Sequence, residues 1–234
     1  MSLISDNLQA VRAAILDAER LSGRAPGSVK LVAVSKTFGA DAVLEAAHAG
    51  QRAFGENYLQ EAVDKIQWMR EHAPELALEW HFIGPLQSNK TRQVAELFSW
   101  VHSVDRAKIA QRLSDQRPEG MAPLNICLQV NISGEDSKSG VTPDQLGMLA
   151  EQVASLPRLK LRGLMAVPEP TDDMQLQHQA FQALRNLADE LRAGGHNIDT
   201  LSMGMSADMQ AAVAEGSTMV RIGTAIFGSR HYAQ

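Results

Sequence analysis

The chain lacks the features of a secreted or membrane-bound protein. It contains a single cysteine, Cys127, so no disulfide can form within the chain and a reducing compartment is expected. No apolar run approaches the length of a transmembrane helix. The N-terminal stretch MSLISDNLQAVRAA has no basic segment followed by a continuous apolar core, so no signal peptide is predicted. These absences predict a cytoplasmic protein in which Cys127, within LNICLQV, is a buried strand residue.

Excess positive charge and metal-binding spacings are missing as well. The net charge of −5 argues against nonspecific binding to nucleic acid, which needs a basic surface, and disfavours anionic membranes. The seven histidines show neither H-x-H nor H-E-x-x-H spacing, so no metal site is predicted. Low-complexity segments and linkers rich in Pro, Gly or Ser are also absent. We therefore expect one domain that spans residues 1–234.

What the chain does contain is an alternation of short apolar runs with amphipathic stretches. The apolar runs predict eight β-strands, at residues 29–34, 51–55, 79–83, 100–104, 124–132, 159–167, 200–206 and 219–223. Alternating strands and helices favour parallel βαβ units, and several runs are apolar on both faces, as strands under helices are. Eight such units predict a single (β/α)8 TIM barrel. An open doubly wound sheet is the alternative, although no G-x-G-x-x-G follows a strand.

An extra helix is predicted ahead of the first strand. It should run from Ser5 to Leu21, with Ser5 or Asp6 as its N-cap. Only eleven residues follow Gly223, which is too few for a full eighth helix of the barrel. We expect the N-terminal helix to cover this gap in the outer ring.

Functional residues of barrel proteins lie at the C-terminal ends of the strands. That rule selects Lys36, Asn57, Gly84, Asp105, Asn131, Met165, Ser206 and residues 221–224. Lys36 follows the apolar run LVAV. A lysine at the mouth of a barrel is partly desolvated, which favours the uncharged amine that forms Schiff bases with carbonyl compounds. The alternative is a strand-end lysine that only extends into solvent.

The segment MVRIGTAIFG, residues 219–228, indicates an anion site. Arg221 and Gly223 share one face of the strand, and Gly223 would let a ligand approach the backbone closely. Thr224 is expected to cap a short helix whose N–H groups bind an anion, with Ser206 on the opposite wall. Phosphate binding between strands seven and eight recurs in barrels. A helix cap without a ligand is the alternative, which a buried arginine lacking an obvious acidic partner makes less attractive.

A nucleophilic lysine and a phosphate site on one barrel face suit a ligand that carries an aldehyde and a phosphate. Pyridoxal 5'-phosphate (PLP) has both groups. Arg221 could then face the pyridine nitrogen and keep it unprotonated, which would weaken the ring as an electron sink. Most PLP enzymes place an acid there instead.

The motifs LVAVSKT, FGENYLQEA, EWHFIGPLQSNK, SKSG, LSMGMSADM and VRIGTAIFG together resemble the pyridoxal phosphate homeostasis protein family. The resemblance runs from about residue 5 to residue 230. It implies a barrel similar to the N-terminal domain of alanine racemase and a covalent Schiff base (aldimine) of PLP on Lys36. It also implies that Arg221 contacts the pyridine nitrogen, that Ser206, Gly223 and Thr224 contact the phosphate, and that Asn57 lines the pocket. Members of the family are regarded as cofactor binders in vitamin B6 homeostasis without an established reaction.

Three functions remain open at this point. A carrier would hold PLP on Lys36, without a catalytic residue, and pass it to PLP-dependent apoenzymes. A racemase would need a second base, which alanine racemase takes from a tyrosine on a second domain of its dimer partner, whereas this chain has only Tyr58 and Tyr232. An aldolase-type barrel would use Lys36 on phosphosugars. We favour the carrier, and a monomer, because the racemase's second domain is missing.

Four further residues have two interpretations each. Lys138, in a loop, is a surface lysine or a second PLP site. His81 is a hydrogen-bonded strand histidine or a pocket residue. Lys90 and Arg92 form a solvated basic face or a rim that attracts the phosphate.

Overall fold

The computed structural model describes residues 3–134 and 139–229. Within these residues, eight parallel strands close into a barrel in the order of the chain, β1 to β8, and β8 pairs with β1. The strands are β1 (Lys30–Val34), β2 (Ala53–Glu56), β3 (Glu79–Phe82), β4 (Trp100–Val104), β5 (Leu124–Gln129), β6 (Leu159–Met165), β7 (Thr200–Ser202) and β8 (Met219–Ile222). This topology confirms the predicted TIM barrel, and the open doubly wound sheet is wrong.

Helices alternate with the strands and cover the outside of the barrel. They are α1 (Leu3–Leu21), α2 (Ala40–His48), α3 (Leu59–His72), α4 (Thr91–Leu97), α5 (Ala107–Gln116), α6 (Pro143–Ala154), α7 (Met174–Ala193), α8 (Met209–Ala214) and α9 (Thr224–Phe227), with a short 3-10 turn at Ser88–Lys90. Among the described residues, no helix is both long enough and apolar enough to cross a membrane.

Helix α1 closes the outer ring, as predicted. It packs against α2, α8 and α9, and its residue Leu8 is fully buried. The side-chain amide of Asn7 donates to the carbonyl oxygen of Ile226 in α9 at 2.9 Å. The predicted N-cap at Ser5 or Asp6 is wrong, because α1 already includes Leu3 and Ile4 and the side chain of Ile4 packs against the core.

Strand β7 is much shorter than its predicted run, 200–206. Gly204 adopts φ 100°, and a Cβ at this position would lie 2.6 Å from Cβ of Ala212 in α8. Only glycine accepts both the left-handed backbone and this close approach. The chain therefore turns at Gly204, and Met205 and Ser206 lie in the loop above the barrel.

The core has two layers. The larger one fills the space between strands and helices. The smaller one lies inside the barrel and consists of Val32, Ala53, Trp100, Cys127, Met165 and Met219. The predicted burial of Cys127 is confirmed, and burial raises the pKa of its thiol to about 12. The thiol is therefore a packing group and not a nucleophile.

Candidate functional site

The six residues predicted to bind a cofactor line one cavity at the C-terminal ends of the strands. Its volume is about 360 Å³, within the range of about 300–1,000 Å³ typical of small-molecule sites. The predicted residues on its wall are Lys36, Asn57, Ser206, Arg221, Gly223 and Thr224. The apolar part of the wall includes Val34, Phe38, Ile83, Val167 and Met205. An amine, a guanidinium and two hydroxyls thus line a mainly apolar space large enough for one small molecule.

The backbone bends sharply directly after Lys36. Thr37 has φ 69°, in the left-handed region that a β-branched residue rarely adopts, and this conformation costs on the order of 1–3 kcal/mol. The Thr37 N–H donates to Glu61 Oε1 at 2.7 Å, and the Phe38 N–H donates to the Ser35 carbonyl at 3.1 Å. These contacts hold the strained turn that ends β1 and leaves Lys36 on the cavity wall.

A buried ionic cluster supports this turn from below. Lys65 Nζ donates to the Ser35 carbonyl and to Glu56 Oε1, both at 2.7 Å, and to Glu61 Oε1 at 2.6 Å. The Ser35 hydroxyl donates to the same Glu56 oxygen at 2.6 Å. Burial raises the pKa of Glu56, although the positive charge of Lys65 opposes the shift. We call Ser35, Glu56, Glu61 and Lys65 the lysine clamp, because they hold both neighbours of Lys36.

Asn57 presents a polar atom that the described residues leave unsatisfied. Its Oδ1 is buried without a hydrogen-bond partner in residues 3–134 and 139–229. Buried polar atoms normally have a partner, so this oxygen is available to a ligand. Gly84 explains how Asn57 reaches the wall. A Cβ at position 84 would lie 2.2 Å from the Asn57 carbonyl oxygen, so Gly84 supports Asn57 and does not itself line the cavity.

Arg221 is buried inside the barrel, as predicted, and is 5% exposed. Its Nη1 donates to Ser202 Oγ at 2.7 Å and its Nη2 donates to the Ala166 carbonyl at 2.9 Å. Within the described part of the chain, no carboxylate forms an ion pair with it. Burial lowers the pKa of Arg221 to about 10, with Asp208 opposing the shift, so the guanidinium stays cationic near pH 7. The cavity wall therefore carries a fixed positive charge.

The predicted anion site lies between the turn after β7 and the end of β8. Gly223, and not Thr224, is the N-cap of α9, and its carbonyl accepts from the N–H groups of Ile226 and Phe227. The predicted cap was therefore one residue late, and Thr224 is the first helical residue. A Cβ at position 223 would lie 3.0 Å from the Val34 carbonyl oxygen, so this glycine lets β8 pack against the end of β1. That packing brings Thr224 to the cavity that Lys36 lines.

Other strand-end candidates do not reach the cavity. Asp105, Asn131 and Met165 are absent from its wall. Lys90 and Arg92 are exposed and also lie away from the wall, which favours their interpretation as a solvated face. Lys138 and Tyr232 lie outside the described residues. Among the residues that are described, no three His, Cys, Asp or Glu side chains lie close enough together to hold a metal ion.

The sequence alone did not single out the groups that support Lys36 and Arg221. Lys65 had a signal, because it lies at helical spacing from the buried Ala62 and Met69 in α3 and so interrupts an apolar stripe. His102, whose Nδ1 lies 2.7 Å from the Arg221 partner Ser202, also had one, because it shares a face of β4 with the buried Trp100. For the hydroxyl of Ser202, the sequence carries no such signal beyond its place in a predicted strand.

Comparison with known proteins agrees with this geometry. The family model described as alanine racemase, N-terminal domain, matches residues 7–231. A protein named "Pyridoxal phosphate homeostasis protein" from Vibrio cholerae is 59% identical over 234 residues, which cover 100% of this chain and 99% of the relative. A protein of the same name from Pseudomonas aeruginosa is 60% identical over 232 residues, covering 99% and 98% of the two chains. The chain belongs to the pyridoxal phosphate homeostasis protein family.

Solved structures support the same assignment. PipY of Synechococcus elongatus, solved with PLP bound, is 37% identical with a TM-score of 0.82, and the match covers 96% of this chain and 100% of that one. Alanine racemase from Corynebacterium glutamicum is 17% identical with a TM-score of 0.70, over 97% of this chain and 61% of the racemase chain. The second likeness shows the shared barrel fold alone and confirms the predicted resemblance to the racemase barrel.

Proposed function

We propose that this protein binds PLP in the cavity as a Schiff base on Lys36 and acts in vitamin B6 homeostasis as a carrier. The observation that carries the proposal is that Lys36, Arg221 and the hydroxyls of Ser206 and Thr224 line one cavity of about 360 Å³. The residues suit PLP, because an amine, a fixed cation and an anion cradle match its aldehyde, ring nitrogen and phosphate. The names of the relatives and the PLP bound to PipY support the same ligand.

The chemistry of holding the cofactor needs only groups on the wall. Lys36 would supply the amine that condenses with the aldehyde, forming a C=N bond with loss of one water molecule. The N–H groups at the start of α9, together with Ser206 and Thr224, would hold the phosphate. Arg221 can only donate, so a ring nitrogen facing it must accept and stay unprotonated. Exchange with another amine reverses attachment, which allows transfer to an apoenzyme.

The cavity wall favours a carrier over a racemase. A two-base racemase needs a second proton acceptor opposite Lys36, yet the wall contains no Tyr, His, Asp or Glu from the described ranges. Tyr58 is 54% exposed and does not line the cavity. An assay with L- and D-alanine, on protein free of contaminating racemase, should show at most a slow side reaction. Turnover near the median enzyme rate of about 10 per second would contradict the carrier proposal.

Absorption spectroscopy with reduction tests the Schiff base. Protein mixed with PLP should absorb visible light, lose this band on borohydride reduction, and carry the resulting mass adduct on Lys36. Lys36→Ala should abolish the adduct at this position, whereas Lys90→Ala, at an exposed lysine away from the wall, should leave it unchanged. A colourless protein without an adduct would instead favour the aldolase-type alternative.

Three finer expectations belong to the same proposal. We expect the protein to be monomeric, to act in the cytoplasm and to pass PLP to PLP-dependent apoenzymes. Sedimentation of the loaded protein tests the first. Mixing loaded protein with an apoenzyme, and comparing recovery of activity with that produced by the same amount of unbound PLP, tests the last.

A further inference from the structure

A chain of hydrogen-bonded polar groups crosses the inside of the barrel, from the cavity to the opposite end. Arg221 Nη1 lies 2.7 Å from Ser202 Oγ, which lies 2.7 Å from His102 Nδ1. His102 Nε2 lies 2.9 Å from His81 Nδ1, and His81 Nε2 lies 2.6 Å from Glu79 Oε1. We call Glu79, His81, His102 and Ser202 the interior relay. It links the positive charge on the cavity wall to a carboxylate at the start of β3.

The relay occupies positions that apolar side chains normally fill. Ser202, His81 and His102 are fully buried, and the His81 ring stacks on Trp100 with centroids 5.4 Å apart. Layers inside such barrels are usually built from branched aliphatic residues. Buried polar groups are costly unless every member has a partner, and here each ring nitrogen has one. Packing alone therefore does not account for these residues.

The hydrogen bonds of the relay have a single consistent direction. Glu79 accepts from His81 Nε2, because its carboxylate has no proton to give: burial would raise its pKa, but the hydrogen bond from His81 and the contact with Lys30 lower it below its usual value. Burial lowers the pKa of His81 below its usual value, although Glu79 opposes the shift, so we expect a neutral ring near pH 7 whose Nδ1 accepts from His102 Nε2. His102 is neutral for the same reason, so its Nδ1 must accept the Ser202 proton.

This direction makes the Ser202 oxygen a hydrogen-bond acceptor toward Arg221. With its proton committed to His102, the Ser202 oxygen presents only lone pairs to the guanidinium. With a neutral His81, the reverse direction would place two acceptors, His81 Nε2 and the Glu79 carboxylate, 2.6 Å apart without a proton between them. The Ala166 carbonyl accepts from Nη2, so Arg221 is held at two nitrogens by acceptors whose orientation cannot change.

We propose that His81, His102 and Ser202 are positioning residues that fix Arg221 against the ring nitrogen of PLP. The inference rests on the proposed function, because it assigns a purpose to Arg221 in that site. Loss of the relay frees the Ser202 proton to turn toward the guanidinium and lets Arg221 move. The ring nitrogen then loses a donor of fixed position, and both the affinity for PLP and the absorption of bound PLP should change.

The first test does not need PLP. Two-bond ¹H–¹⁵N spectra of histidine-labelled protein should show His81 and His102 neutral and protonated on Nε2 between pH 6 and 8. His178, a partly exposed histidine hydrogen-bonded to Glu215, is outside the relay and serves as the internal comparison. A proton on Nδ1 of either relay histidine, or a doubly protonated ring, overturns the proposed direction.

A second measurement without PLP follows the motion of Arg221. In labelled protein, NMR line shapes of the guanidinium should show slow rotation in the wild type and faster rotation in Ser202→Ala. His178→Gln should leave the rotation unchanged. Equal rotation in the wild type and Ser202→Ala shows that the relay does not fix Arg221 and overturns the inference.

The third test uses loaded protein. His102→Leu removes both ring nitrogens, so the hydrogen bond between Ser202 and the charged Arg221 is no longer held in one direction. We expect PLP to bind at least about tenfold more weakly and its absorption band to shift. His102→Gln keeps an acceptor and a donor and should recover part of the affinity. His178→Gln should behave as the wild type. If His102→Leu does not fold, Ser202→Ala, which removes one oxygen, takes its place.

The outcomes separate this inference from the proposed function. A wild-type protein that forms no adduct on Lys36 contradicts the proposed function, whatever the NMR spectra show. A wild-type adduct, together with unchanged affinity and absorption in Ser202→Ala and His102→Leu, overturns the positioning role and leaves the carrier proposal standing.

Discussion

The lysine clamp and the interior relay support opposite ends of the same cavity by different physical means. The clamp lies between β1, β2 and α3, uses full charges, and grips the backbone on both sides of Lys36. The relay lies inside the barrel, uses neutral rings and a hydroxyl, and grips the side chain of Arg221. The difference corresponds to what each end must do. In the proposed function, Lys36 must be able to react with the ligand, whereas Arg221 must hold a fixed position.

Breaking the clamp should have the largest effect on stability. Lys65→Met leaves Glu56 buried without its counter-ion, so the free energy of unfolding should fall by roughly 3–5 kcal/mol. The double variant Lys65→Met, Glu56→Gln should regain part of the lost stability, because no unpaired charge then remains at position 56. Urea titrations measure both effects, with Lys90→Met, at an exposed lysine, as the control.

Breaking the relay at one hydroxyl should cost less. We expect Ser202→Ala to lower the free energy of unfolding by about 1–3 kcal/mol, because the hydroxyl loses its hydrogen bonds to Arg221 and to His102, while Arg221 keeps the Ala166 carbonyl. A loss equal to or larger than that in Lys65→Met would show that the two regions do not differ as described.

The two regions should also respond to pH in opposite directions. The folded-state pKa of His102 is depressed, so the unfolded chain binds more protons below pH 6.5 and stability falls as the pH drops through that value. Each such histidine contributes up to about 1.4 kcal/mol per pH unit. His81, Glu79, Arg221 and Lys30 are the charged or titratable groups that surround it. Ser202→Ala should keep this dependence of the unfolding free energy on pH, whereas His102→Gln should weaken it.

Glu56 in the clamp has a raised folded-state pKa, which reverses the sign. Its contribution to stability is fully present below its unfolded pKa of 4.5 and is lost as the pH rises through the folded value. Glu56→Gln should remove this pH-dependent contribution to stability and leave that of His102 unchanged. Unfolding free energies measured from pH 5 to 8 check both slopes, and slopes of the same sign for the two regions would contradict their assignment.

Substitutions at Thr37 should change stability least, and they test whether the backbone of the turn after Lys36 is strained. Thr37→Gly should be more stable than Thr37→Ala by roughly 1 kcal/mol, because glycine accepts φ 69° without the steric cost that a Cβ brings. Thermal melts of the two variants provide the comparison. Equal stability would show that the turn after Lys36 is not strained.

The sequence predicted the barrel from local patterns, and it predicted the six wall residues from strand ends together with the family resemblance, since strand ends alone also selected Asp105, Asn131 and Met165. Apolar runs mark the strands, and the strand ends place Lys36 and Arg221 at one mouth whatever the register. The relay depends on register, since His81 and His102 meet only because β3 and β4 pair with His81 opposite Trp100. The start of α1 and the turn at Gly204 depend on tertiary packing of Ile4 and Ala212, which no local pattern carries.

A crystal structure of the protein grown with PLP tests the central claim most directly. We predict electron density continuous from Lys36 Nζ to the ligand, the ring nitrogen within hydrogen-bond distance of Arg221, and the phosphate at Ser206 and Thr224. Density for PLP outside this cavity, or a ring nitrogen that faces away from Arg221, would contradict it.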